Sequence, residues 1–239
     1  MLGLTEPKLR RALILLIFFL VPALAAVATS KPHIIAFGKW TTVQWSPESA
    51  GSSESEKPLA LKVRPLLVDS HVKEFTLGPA HDVTDRLFVV RRAFRVNDSL
   101  PQESASPPHW LWQRGGWLLV DRVTGRISSL NLPEFEPFYS AASWYRDYAA
   151  YCDVSDDGKK LYAVVAQVGR RKPVLKTLLV GGSDTKDATG DPACAIPAWQ
   201  RNPSRVSFEP TGGTKQTFAI RGHSVDLVVQ EENDEEASK

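Results

Sequence analysis

Asp153, Ser155 and Asp157 stand at alternate positions ahead of Gly158, within the stretch Cys152-Asp-Val-Ser-Asp-Asp-Gly-Lys-Lys-Leu-Tyr-Ala-Val-Val-Ala-Gln167. Oxygen-bearing side chains at that spacing, with a glycine behind them, open a calcium loop. A hard cation wants about six to eight oxygens and a bidentate Glu at the twelfth position of such a loop. Here the ninth and twelfth positions are Leu161 and Val164. The stretch therefore reads as a tight turn, Ser155-Asp-Asp-Gly158, in which Asp side chains bond nearby backbone and glycine takes a positive φ. No metal ligand set is assigned.

Trp144-Tyr145-Arg146-Asp147 offers a different chemistry. Aromatic faces stack on a sugar or a peptide, and a neighbouring Arg and Asp bond its polar groups, so these four are the candidate ligand-binding residues. The same residue types also fill spaces between sheets. Trp110, Trp112 and Trp117 raise the same carbohydrate reading and the same alternative. His81-Asp82 and His223-Ser-Val-Asp226 hold parts of a Ser/His/Asp set, but such sets are defined by geometry rather than adjacency. Gly-x-Ser-x-Gly, His-Glu-x-x-His, P-loop and dinucleotide-binding motifs are missing from the sequence, and the five histidines have no metal-ligand spacing. No catalytic residue and no cofactor follow from these motifs.

The basic spots are Gly169-Arg-Arg-Lys-Pro173 and Arg91-Arg92, read as solvated tips. Residues 1–28 hold three of the 29 basic and one of the 27 acidic residues, so without them the formal charges balance. A neutral chain has no field to draw in a nucleic acid, and none is expected as a partner.

Those same residues read as a secretory signal peptide: Lys8, Arg10 and Arg11, then the apolar run Ala12 to Ala28 ending in small residues. Ala26-Val-Ala28 is the favoured cleavage site and Ala23-Leu-Ala25 the second. Cleavage leaves no stable membrane span, and the protein is expected to be secreted or periplasmic; the alternative is an uncleaved anchor. In an oxidising compartment Cys152 and Cys194 can form a disulfide worth roughly 3–4 kcal/mol. Two separate buried thiols are the other outcome. Asn97-Asp-Ser99 fits a glycosylation sequon.

The elements that must position these residues are strands. Short runs rich in Val, Leu, Phe, Tyr and Trp recur between Gly, Pro, Ser and Asp clusters, with strands expected at His33–Trp45, Leu59–Val68 and Arg86–Val96 and none between Val68 and Arg86, which predicts one all-β domain over 29–230. Leu161-Tyr-Ala-Val-Val-Ala-Gln-Val168 is apolar on both alternating faces, as in a strand covered on two sides. Gly115-Gly116 predicts a hairpin between Trp110–Gln113 and Trp117–Val120. A weak helical face spans Pro137 to Tyr148. Polar segments near 46–58, 97–108 and 181–192 read as flexible loops, and 231–239 as a frayed acidic tail.

Two turns carry a resemblance. Asp121, Thr124 and Gly125 form a D-x-x-T-G turn, and Ser155, Asp157, Gly158 and Lys159 an S-x-D-G-K turn before an apolar strand. From Leu87 to Val180 the chain resembles blades of exported β-propeller proteins. The resemblance implies antiparallel four-stranded sheet units in a small, open or incomplete ring of about three or four blades. A β-sandwich is the alternative. The expected function is a non-enzymatic binding or assembly module with a protein or glycan partner, or a ring completed by several chains. The competing reading is an exported hydrolase or carbohydrate-active enzyme.

Overall fold

Short runs rich in Val, Leu, Phe and Trp form fifteen strands among the described residues of a computed structural model of the chain. It describes residues 31–45, 59–97, 110–137, 140–155, 157, 159–179, 194–221 and 224–228. The leader, the expected loops apart from Asn97, the acidic tail, Gly158, His223 and most of the sequon lie outside the described residues. The described strands all fall within His33–Lys239.

The first sheet contains β1 (Ile35–Phe37), β2 (Thr41–Trp45), β3 (Leu59–Val68), β4 (His71–Asp82), β5 (Leu87–Asn97), β6 (Trp110–Asp121) and β7 (Ile127–Leu130). Strands β2 to β6 pair in sequence, and β6 returns to β2 through one parallel contact, Trp45 beside Trp112. The pairings thus close a ring. Bulges at Leu66/Leu67, Leu77/His81 and Arg91/Ala93 supply the bending that a closed sheet needs. Inside, Trp45, Leu61, Val63, Leu77 and Ala93 fill one end. Leu66, Phe88, Val90, Leu118 and Val120 fill the other, with Ile35, Phe37 and Ile127 of β1 and β7 packed against them.

Two expectations fail in this sheet. Gly115 and Gly116 lie inside the continuous strand β6 rather than in a hairpin. A Cβ on Gly115 would stand 3.1 Å from Arg92 Cβ, so the glycine admits the bulged neighbour strand instead of turning the chain. The second miss is β4, absent from the expected strands because Lys73, Glu74, Gly78 and Pro79 break its apolar run. Gly78, at φ +62, sits where the β4–β5 register shifts.

The expected D-x-x-T-G turn forms between β6 and β7. The Asp121 carboxylate accepts the Val123 and Thr124 amides while the Arg86 guanidinium grips it from outside. These bonds hold its carboxyl far below the usual range. Gly125 closes the turn at φ +65.

The second sheet is β8 (Ser143–Tyr145), β9 (Tyr148–Val154), β10 (Leu161–Gln167) and β11 (Leu175–Leu178). The third is β12 (Ala198–Gln200), β13 (Arg205–Phe208), β14 (Gln216–Arg221) and β15 (Ser224–Val228). Strand β10 is covered on both faces, as its sequence requires. Val164 and Ala166 meet Val89 and Trp117 of the first sheet; Ala163 and Val165 meet Val206, Phe208 and Phe218 of the third. The disulfide Cys152–Cys194 ties β9 to the segment leading into β12. All antiparallel pairs β4 to β7, β8 to β11 and β12 to β15 run in chain order, so the chain lays down three consecutive four-stranded meanders.

No helix forms among the described residues of 137–148. Ser143–Tyr145 pairs with β9, and Arg146 turns the chain at φ +53, which no helix interior accepts. Backbone pairing outweighs a weak helical period.

Candidate functional site

Directly opposed residues of an antiparallel pair share a face, and alternate residues of a strand do too. In β5 and β6 the opposed pairs are Asn97 with Trp110, Arg95 with Trp112 and Ala93 with Arg114. The face they share is the inner face of the ring, because Ala93 and Trp112 belong to its core. Toward the Asn97–Trp110 end that face changes from apolar to Trp and Arg. Trp112 is half-buried, edge-on to Phe75 at 5.1 Å; Trp110 beyond it is 52% exposed. The Arg95 guanidinium lies 5.6 Å from the Trp110 ring and 5.4 Å from the Trp112 ring, bracketed by both. Arg114 lies over Trp45 at 3.9 Å. Trp45 in turn donates its indole N–H to Gln113 Oε1 at 3.3 Å, which holds that ring in place.

Among the described residues, the charges at this mouth are not neutralised in the way others on the ring are. Arg92 pairs with Glu74, Arg86 with Asp121 and Arg122 with Asp82. Among the described residues, Arg95 and Arg114 face rings and pair with no carboxylate. Burial pulls the Arg114 guanidinium below its ordinary value. Burial, with Arg114 as a like charge, brings Arg91 down to about 10. Arg91 itself points to the outer face, where the carbonyls of Gly115 and Pro137 accept its N–H groups. The Arg91-Arg92 spot is therefore not a solvated tip: one side chain is covered and the other is paired. Arg170, Arg171 and Lys172 are exposed on the β10–β11 turn, as expected.

Trp144, Tyr145, Arg146 and Asp147 come together at the β8–β9 turn. Trp144 stacks on His81 of β4 and meets Trp117 of β6 edge-on at 4.9 Å. Tyr145 packs on Trp199 of β12 at 5.5 Å. Asp147 accepts a hydrogen bond from Gln167 Nε2 at 2.7 Å. The two aromatic residues thus join β8 to strands of the other two sheets, and Arg146 is the exposed member. His81 and Asp82 do not form a relay, since His81 Nε2 donates to the Arg146 carbonyl and Arg122 holds Asp82.

The oxygens of the calcium-like stretch are engaged separately. Asp157 accepts bonds from Ser155 Oγ and the Lys159 amide, completing the turn. Asp153 points elsewhere: it is 8% exposed, beside Glu134 and 3.9 Å from Lys176 Nζ. Burial first, then the Glu134 charge, raises its carboxyl to about 6, against the pull of Lys176. Lys176 also pairs directly with Glu134.

Sequence reasoning singled out Trp110 and Trp112 but missed Trp45, Arg95 and Arg114. The alternation Trp110-x-Trp112-x-Arg114 was the available signal. Comparison of the chain with protein-family models, curated proteins and solved structures finds no match.

Proposed function

We propose that the protein is an exported, non-enzymatic binding module, built of propeller-like four-stranded units, which takes a glycan or protein ligand at the Trp/Arg mouth of its β-ring. The observation that carries this reading is the half-exposed Trp110 beside Arg95, a ring and a cation fixed on a rigid, paired β ladder. Such a surface loses little entropy when a ligand stacks on it. The leader-like N-terminus and the Cys152–Cys194 disulfide support export, since disulfides persist in oxidising compartments. Among the described residues no helix is long and apolar enough to cross a membrane.

Binding to an immobilised panel of soluble polysaccharides and extracellular proteins tests the reading. Trp110→Ala should abolish capture while leaving the thermal melt unchanged. Capture that survives this substitution would move the site elsewhere.

A second reading, an exported hydrolase, draws on Asp153, a covered carboxyl titrating near 6 beside Glu134. It requires turnover of a glycan or ester panel that Asp153→Asn abolishes.

A further inference from the structure

The chemistry of the mouth narrows its ligand. We propose that it recognises an anionic glycan, a sugar polymer bearing carboxylate or sulfate groups, with Trp110 and Trp112 stacking on sugar rings and Arg95 and Arg114 meeting the acidic groups. This rests on the mouth being the binding surface.

Two observations point to an anion. Arg95 lies within 5.6 Å of both the Trp110 and Trp112 rings, which orient its guanidinium, and among the described residues no carboxylate pairs with it. Arg114 is half-buried over Trp45 and, among the described residues, unaccompanied by a carboxylate. Arg114 thus stands on the inner face with Arg95, one alternation along from Trp112. An arriving carboxylate or sulfate would pair with the fork of Arg95 or Arg114 in a bidentate way.

The arrangement favours a glycan over other polyanions. A nucleic acid asks for a run of cations tracking its phosphates. On this ring Arg86, Arg92 and Arg122 are already neutralised, and the whole chain carries a formal charge of only +2. The cationic groups are instead local and interleaved with ring faces, which suits isolated acidic groups on stackable rings. An acidic peptide would add along a strand edge. Here the rings and guanidiniums rise from the face of the β5–β6 ladder, whose backbone groups bond each other from Asn97–Trp110 onward.

The test uses titrations of the intact exported protein with polygalacturonate, heparin, methyl-esterified polygalacturonate, dextran, poly-glutamate and an oligo-dT strand. Polygalacturonate or heparin should bind at least about tenfold more tightly than the esterified or neutral polymer, an advantage that falls with added salt. Arg95→Gln should remove that advantage, and Trp110→Ala should weaken acidic and neutral sugars alike. Arg95 and Trp110 are both exposed, so each variant is checked for an unchanged melt.

Equal or tighter binding of dextran or the esterified polymer at the mouth would overturn the anionic inference and keep the mouth as a site. Preference for poly-glutamate or oligo-dT would overturn the glycan. Binding of every probe unaffected by Trp110→Ala, or no binding at all, would overturn the mouth itself.

Discussion

Trp144 of β8 lies on the imidazole of His81 of β4, with ring centroids 5.9 Å apart and planes 24° from parallel, and the same imidazole donates its Nε2 hydrogen to the Arg146 carbonyl. One side chain of the first sheet thus holds the second sheet through both a ring face and a backbone bond. His81→Ala should cost about 1–2 kcal/mol, and Trp144→Ala, which also abandons Trp117, about 3–4 kcal/mol. In a double-mutant cycle read by urea unfolding, the pair should couple by about 1 kcal/mol. Strict additivity would mean that the stack contributes no more than two independent packing residues.

Gly125 and Gly169 both have positive φ, at +65 and +84, but their surroundings differ. A Cβ on Gly125 would meet His33 Cγ at 2.8 Å and Val68 Cγ1 at 3.0 Å, whereas nothing lies within 4 Å of one on Gly169. Gly169→Ala should therefore cost only the conformational strain, about 1 kcal/mol. Gly125→Ala adds crowding against His33 and Val68 of β3 and should cost about 2–3 kcal/mol. Equal losses in paired urea melts would show that the β6–β7 turn shifts freely away from His33.

Asp153 makes the stability depend on pH in an uncommon direction. Its carboxyl is raised to about 6 in the folded protein against 3.8 for the free group, so between those values the folded state binds more protons than the unfolded one. Stability from this group is present below about pH 4 and is lost as pH rises through about 6. Asp153→Asn should abolish that decline and raise the Tm at pH 8, measured by thermal scans across pH 4 to 8. Lys176→Met removes the cation that opposes the shift and should move the decline to higher pH. A wild-type Tm that rises steadily over this window, with no difference for Asp153→Asn, would mean that water or rearrangement relieves the buried charge.

Strand β10 and the turn at Asp121 were legible because each rests on local chemistry: two apolar faces in one case, an Asx-type turn with an obligatory glycine in the other. Gly115-Gly116 misled because a glycine pair marks a hairpin turn and a bulge-facing stretch of strand alike; the bulge that decides between them lies on β5, more than twenty residues away in sequence. The mouth shows the same limit. Arg95 meets Trp110 and Trp112 only through the register of β5 on β6, and Trp45 reaches Arg114 only once the ring closes. Trp144 and Tyr145 were legible as a cluster, but the partners that occupy their rings, His81, Trp117 and Trp199, come from three distant segments.

The Cys152–Cys194 bond spans 42 residues and joins the second sheet to the third, on the side where Cys152 and Cys194 pack with Ala150, Ala163, Val206 and Phe208. Reduction frees the unfolded chain from a long closed loop and should lower stability by roughly 3–4 kcal/mol. The paired substitution Cys152→Ser, Cys194→Ser should reproduce that loss and make the urea midpoint insensitive to reductant. The inner cluster of the first sheet, which holds Phe88, Val90, Leu118 and Val120, is separate from the cluster around the disulfide and should lose less: amide exchange in those four residues should change less on reduction than in Ala163, Val165, Val206 and Phe208. Uniform loss of protection across all these strands would show that the three sheets unfold as one cooperative unit, with the disulfide stabilising all of it.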